Sequence, residues 1–178
     1  MCITLCMVNR QIVLRPQDIV ALLQIVSNNR QGSWMKKDLA QQLFLSNSEI
    51  TNIYERLRFS GLLDVNTNTI RLQSLYEFLI YGFRYVFPAI VGPETRGILT
   101  GANALPDNNI RSTNYVWPTY EGIDRGYSIA PLYPEVIHAV RNDGLLYTAL
   151  VVCDMLRTGQ SREINVARDW FKKFLLEN

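Results

Sequence analysis

The chain has little of what a disulfide scaffold or a metal site needs. Its 178 residues carry three cysteines and one histidine. Cys2, Cys6 and Cys153 are an odd set without tight spacing, which argues against a disulfide framework. A zinc ion normally takes four ligands from a Cys/His set. Three scattered cysteines and a lone histidine do not supply them, so neither a metal nor another cofactor is expected. A reducing, cytoplasmic compartment fits this cysteine usage. Long apolar runs are also missing. The opening "MCITLCMV" is apolar but short, and no Lys or Arg precedes it. It lacks the basic region of a signal peptide and is too short to span a bilayer. A short strand, a dimer-clasping arm or disorder is the expectation, with no membrane partner.

Strong charge of either sign is absent as well. The net charge is +2, too small to establish a polyanionic partner. It is unevenly placed. Residues 1–87 hold 9 Lys/Arg against 6 Asp/Glu, and residues 88–178 hold 9 against 10. The basic front half leans weakly towards a polyanion. A hydrophobic content of 48% is enough for a core.

The catalytic repertoire is thin, and no enzyme is expected. His138, on "PEVIHAVRN", falls opposite Val136, Ile137 and Val140, as an exposed helical residue would. Cys153 lies among Leu150, Val152 and Leu156 and reads as buried and inert. Nucleophile elbows, phosphate loops and paired metal ligands do not occur. "GPETRG" and "EGIDRG" mix Glu94, Glu121 and Asp124 with Arg96 and Arg125 near glycines, which reads as ion-paired loop structure, with ligand binding as the alternative.

What is present is helical periodicity at both ends. The spacing predicts a first helix over Pro16–Asn28, with Pro16 in its first turn and Ile19, Leu22, Leu23 and Val26 on one face. "NNRQGS" breaks it, and Trp34 and Met35 would form a short strand. A second helix is predicted over Lys36–Leu43 and a third over Asn47–Ser60. Ser46 caps the third, and Glu49 stands at the capping-box spacing, its carboxylate expected on the Ser46 N–H. Gly61 ends this helix with the backbone freedom of a left-handed cap. Leu62–Val65 and Ile70–Leu72 flank a polar Asn66–Thr69 turn and read as a β-hairpin. Ser74–Tyr85 is apolar almost all round, which predicts a helix buried on more than one side.

Residues 86–133 carry five prolines and five glycines and no long period. They are expected as an extended, irregular arm pinned by Tyr115, Trp117, Tyr120 and Tyr127. Helices resume over Pro134–Arg141, Leu145–Thr158 and Arg162–Leu176, the last capped by Ser161. The expected organisation is thus a unit over 1–85, the arm over 86–133 and a helical region over 134–178.

The order helix, helix, turn, helix, hairpin over Pro16–Leu72 resembles the winged helix-turn-helix of bacterial transcription regulators. "KKDLAQQLFLSNSEITNIYERLRFSGLL" looks like the core of the MarR-like group. Ala40 stands where the motif wants a small residue, Leu45 fills the turn, Ile50 fills the core of the reading helix, and Gly61-Leu62-Leu63 enters the wing. "FRYVFPAIVGPETRGI" is similar to a segment of small bacterial winged-helix proteins, which implies no activity. The implied fold is mainly α with a small β-hairpin wing, followed by the irregular arm and the C-terminal helical region.

By this resemblance the third helix would enter the major groove. Ser46, Asn47, Ser48, Thr51, Asn52, Glu55 and Arg56 would face duplex DNA. Asn matches an adenine edge, Arg a guanine edge, and Glu55 would accept from a cytosine amino group or pair with Arg58 or Arg56. Lys36 and Lys37 would meet phosphates at a helix start, joined by Arg58 and Arg71. A sequence-specific repressor acting as a homodimer is the leading expectation. The Ser74–Tyr85 helix and the aromatic last helix are its candidate dimer surfaces. The alternative is a protein-interaction module, an antitoxin or accessory subunit, whose residues 86–178 grip a partner enzyme. A continuous basic stripe across Lys36, Lys37, Arg56 and Arg71 would favour DNA; a break at Glu55 would favour protein.

Overall fold

A computed structural model describes residues 13–32, 35–106 and 112–177. The expectations for "MCITLCMV", with Cys2 and Cys6, and for Trp34 lie outside the described residues. The protein is mainly helical with one small sheet. Helix α1 (Pro16–Gln31) is followed by α2 (Lys36–Gln42) and α3 (Asn47–Phe59). A reduced hairpin over 62–71 leads into α4 (Leu72–Glu77), a π-helical turn (Phe78–Gly82) and α5 (Phe83–Val86). Strands β1 (Val91–Thr100), β2 (Tyr115–Pro118) and β3 (Asp124–Ile129) come next. Helices α6 (Val136–Ala139), α7 (Gly144–Thr158) and α8 (Ser161–Leu175) complete the described chain.

Two helices, α1 and α7, form the centre. Every residue from Asp18 to Asn28 is buried, as is every residue from Ala149 to Leu156. A helix buried all round must satisfy its polar groups inside the protein. Gln24 and Ser27 donate to the Asp143 carboxylate, and Gln24 Nε2 also donates to Asn28 Oδ1. Asp143 accepts in addition from the Leu146 N–H at 2.8 Å, so one side chain caps α7 and bolts it to α1. The expectation of a one-faced first helix is corrected. Polar residues scattered along α1 mask its central position, because the partner of Gln24 and Ser27 lies more than a hundred residues away.

Within the single chain Ser74–Tyr85 is buried on one side. Leu75, Leu79, Ile80 and Phe83 are buried, but Tyr81 and Tyr85 are 65% and 77% exposed. The segment is one-sided and begins at Leu72, so Leu72 opens a helix and does not close the hairpin. The hairpin itself is a single antiparallel bridge, Leu63 to Ile70. Asp64 holds its tip by accepting from Asn66 N and Thr67 N, and Asn68 turns the chain at φ 56°.

Residues 86–133 are not an irregular arm. β1 is long enough to pair antiparallel with both other strands, with β2 through Gly97–Thr100 and with β3 through Val91–Gly97. β2 and β3 pair with each other in parallel, which closes the three strands on themselves. Such a closure leaves no room for side chains where the strands cross. A Cβ on Gly97 would overlap the Trp117 carbonyl, and one on Gly122 would overlap the Gly97 carbonyl. Four-residue pairings, proline at the end of β2 and glycines inside strands are why no strand period is visible in the sequence. Of the expected pins Trp117 is buried, whereas Tyr120 and Tyr127 are exposed.

The sheet is held to α7 by a buried carboxylate and by Tyr147, whose hydroxyl donates to the Leu99 carbonyl at 2.7 Å. Asp154 Oδ2 accepts from Trp117 Nε1 at 2.7 Å and from Thr100 Oγ1 at 2.8 Å, while its Oδ1 meets Arg157 Nη1 at 2.7 Å. Arg157 Nε then donates to the Phe87 carbonyl at 2.9 Å, fixing the entry to β1. Burial pushes the Asp154 carboxyl above its ordinary range, and the Arg157 charge and the two donors offset only part of that. Helix α8 also packs on α7, and its Ala167, Phe171, Phe174 and Leu175 are buried within the chain. Its cap is Gln160, not Ser161, because Glu163 reaches back to the Gln160 N–H at 2.6 Å. One buried cluster runs through all three stretches expected as separate units.

Candidate nucleic-acid interface

Helix α3 starts where its sequence puts it. Ser46 Oγ accepts from the Glu49 N–H at 3.1 Å, satisfying one of the orphan donors of the first turn. Ile50, Ile53, Tyr54 and Leu57 bury one face against α1 and α2. Asn47, Ser48, Thr51, Asn52 and Glu55 stand exposed on the opposite face. Their spacing keeps them on one edge over about two turns. Thr51 Oγ1 donates back to the Asn47 carbonyl, and Asn52 Nδ2 donates to Glu49 Oε2 at 3.3 Å.

The turn between α2 and α3 is braced from the C-terminal half. Tyr133 donates its hydroxyl to the Leu43 carbonyl at 2.8 Å. Phe44, held at φ 55°, places its ring 5.8 Å from the His138 imidazole. His138 is exposed, as its helical position implied. Sequence reasoning missed this brace, since a lone tyrosine ninety residues away carries no local signal.

Arg56 does not face outward. It is buried, its Nε and Nη2 fork the Asp18 carboxylate at 2.8 and 2.7 Å, and Nη2 also meets Glu49 Oε1 at 2.7 Å. Pairing with Asp18 first, and with Glu49 after it, holds the guanidinium more firmly charged than usual against the opposing effect of burial. The expectation that Arg56 reads a guanine is therefore corrected: its side chain is only 10% exposed, and its Nε and Nη2 are spent on Asp18 and Glu49. The Glu49 expectation is corrected with it. Its carboxylate turns to Arg56, Asn52 and Gln17, and Ser46 makes only half of a capping box. Partial burial raises the Glu49 carboxyl, but hydrogen bonds from Arg56 and Asn52 and the charges of Arg56 and Arg15 outweigh it and lower it overall.

The remaining arginines near α3 are also matched. Arg58 pairs with Glu55 at 2.7 Å and holds wing residue Asn68 through Oδ1 at 2.6 Å. Arg71 pairs with Asp64 at 3.0 Å. The Thr67 N–H, the Arg71 guanidinium and the Asn66 N–H hold the Asp64 carboxyl well below the usual range. Lys36 packs its ammonium 4.4 Å from the Tyr54 ring centroid and remains exposed, as does Lys37. Among the described residues neither lysine has a carboxylate partner. The expected basic stripe is thus interrupted at Arg56 and neutralised at Arg58 and Arg71.

The other sequence candidates fall elsewhere. Glu121 pairs with Arg141, while Arg96 and Arg125 face each other in register across β1 and β3. Cys153 is buried, and burial pushes its thiol well up. Among the described residues no group of three or more His, Cys, Asp and Glu side chains is placed to hold a metal ion, and no helix is long and apolar enough to cross a membrane. No family model, curated protein or solved structure matches the chain.

Proposed function

We propose that residues 16–72 form a winged helix-turn-helix that reads duplex DNA. In this reading the protein is a homodimeric repressor that occludes a promoter. The observation that carries the reading is the exposed polar edge Asn47, Ser48, Thr51 and Asn52 beside Lys36 and Lys37, on a helix held rigid by the Arg56 pairs. Asn52 and Asn47 are the base readers, with Ser48 and Thr51 beside them. Lys36 and Lys37 contact phosphates, and Arg58 and Arg71 shape the wing more than they bind.

Two phosphate contacts per protomer imply a shallow salt dependence. Four contacts in a dimer correspond to a slope of roughly −4 in log affinity against log salt. Fluorescence anisotropy of the protein with its own upstream DNA and with a scrambled duplex, at several salt concentrations, tests this. Preference for the upstream duplex is expected, with Asn52→Ala costing about 1–3 kcal/mol and relaxing base preference. Equal, weak binding to both duplexes would sink the reading.

A second reading, a protein-interaction module of the antitoxin or accessory-subunit kind, is favoured by one observation. Around α3 the arginines are spent internally, while Tyr120 and Ile123, in the segment between β2 and β3, are 87% and 84% exposed. Co-purification of the partner enzyme through residues 86–178 is the outcome that would support it.

A further inference from the structure

A groove of about 240 Å³ lies between the α4–α5 segment and helices α7 and α8. Its floor is apolar: Leu79, Ile80 and Leu156 are buried, and Ile164 is half-buried. One wall is the π-helical turn, in which the Phe83 N–H bonds the Phe78 carbonyl five residues back. Such single π turns recur at binding sites because they displace side chains from the ordinary helical rows. Here the turn accompanies Tyr81 and Tyr85 standing exposed at the rim.

The charged groups of this groove are of one sign. Arg84 and Arg168 line it, and no acidic residue does. The Nε of Arg168 is buried and has no hydrogen-bond partner. Neither arginine forms an ion pair among the described residues. A guanidinium is always charged, and a buried donor without an acceptor is costly. Arg84, half-buried, lies 5.8 Å from the Tyr85 ring. Two guanidinium groups without an acid beside them, over an apolar floor, match a negatively charged acceptor carried on an apolar body. A carboxylate accepts two parallel N–H bonds from an arginine. A second copy of the chain is a poor occupant, because a two-fold contact on this face would bring Arg84 and Arg168 towards their own kind.

We infer that this groove binds a small carboxylate with an apolar body, the hydrocarbon on Leu79, Ile80, Leu156 and Ile164 and the carboxylate on Arg168 and Arg84. The site is independent of the proposed DNA contacts and is read in the free protein.

The test uses the full chain and octanoate, with octanol and octylamine as controls. Binding is followed by calorimetry and by the Arg Nε–H signals in a ¹⁵N correlation spectrum. Octanoate is expected to bind saturably and to shift the Arg168 Nε–H signal, with octanol and octylamine at least about tenfold weaker. Arg168→Gln and Arg84→Gln should each weaken octanoate about tenfold, with thermal unfolding of each variant confirming that it folds. Octanol binding as tightly as octanoate, or octanoate leaving the Arg168 signal unmoved, overturns the assignment. So does a dimer that Tyr81→Ser converts to monomers while octanoate does not bind, since the groove would then be covered by a second copy.

Discussion

Arg56 Nη2 stands 2.7 Å from Asp18 Oδ1, joining the middle of α3 to the start of α1 at a site closed to solvent. The same nitrogen stands 2.7 Å from Glu49, so one guanidinium sets the angle of the helix whose outer edge is the candidate reading surface. Removing it leaves Asp18 buried and charged. Arg56→Ala is expected to cost about 3–5 kcal/mol of stability. Arg56→Lys should not restore it, because an ammonium lacks the planar fork. Urea denaturation of both variants checks this; a loss within experimental error of zero for Arg56→Ala contradicts the clamp.

Acid should loosen this clamp. The Glu49 carboxyl lies below its ordinary value of 4.5 in the folded protein, where burial is outweighed by Arg56, Asn52 and Arg15. A depressed carboxyl contributes stability that is fully present above the unfolded value and is lost as pH falls through the folded one. Stability is therefore expected to decline as pH drops below about 4.5. In Glu49→Gln the decline should be shallower. Denaturation midpoints between pH 3 and pH 7 for the two proteins measure the difference, and parallel curves would contradict it.

Asp154 behaves with the opposite sign. Burial raises its carboxyl, so its contribution is largest below the unfolded value and shrinks as pH rises through the folded one. Arg157 limits the loss. Asp154→Ala leaves Arg157 buried and the Trp117 and Thr100 donors unmet, and should cost about 3–5 kcal/mol. Replacing both partners, Asp154→Leu with Arg157→Met, should cost less than the two single changes together. A double-mutant cycle by urea denaturation reads the coupling; additive losses would mean that the pair does not act as a unit.

Gly97 should tolerate no side chain. Gly97→Ala puts a methyl group into the Trp117 carbonyl where β1 meets both other strands. A loss of about 3 kcal/mol is expected, with protection of β1 and β2 amides falling before that of α1. Hydrogen exchange of the variant, compared with Gly144→Ala at an open position, separates the local effect from a general one.

Cys153 should stay silent towards thiol reagents in the folded protein, because burial raises its thiol and closes access. In a Cys2→Ser/Cys6→Ser background, labelling with a chromogenic disulfide should await urea unfolding. Rapid labelling under native conditions would contradict the packing of α7.

The local signals in the sequence determined much of the helical layout. Pro16, Ser46, Gly61 and the apolar spacings of Ile50, Ile53 and Leu57 placed α1, α2 and α3 to within a few residues, since caps and periodicity act over one or two turns. Exposed Asn47, Ser48, Thr51 and Asn52 were legible for the same reason. What the tertiary structure alone decided depended on partners distant along the chain. Arg56 looks like a surface residue until Asp18, thirty-eight positions earlier, takes its donors. Gln24 and Ser27 of α1 look solvated until Asp143 meets them. The proline-rich middle looks irregular until β1 pairs with two short strands at once, in a closure that only glycine at 97 and 122 allows. A charge or a strand registers its role only through its neighbour, and spacing along the chain carries no record of neighbours made by folding.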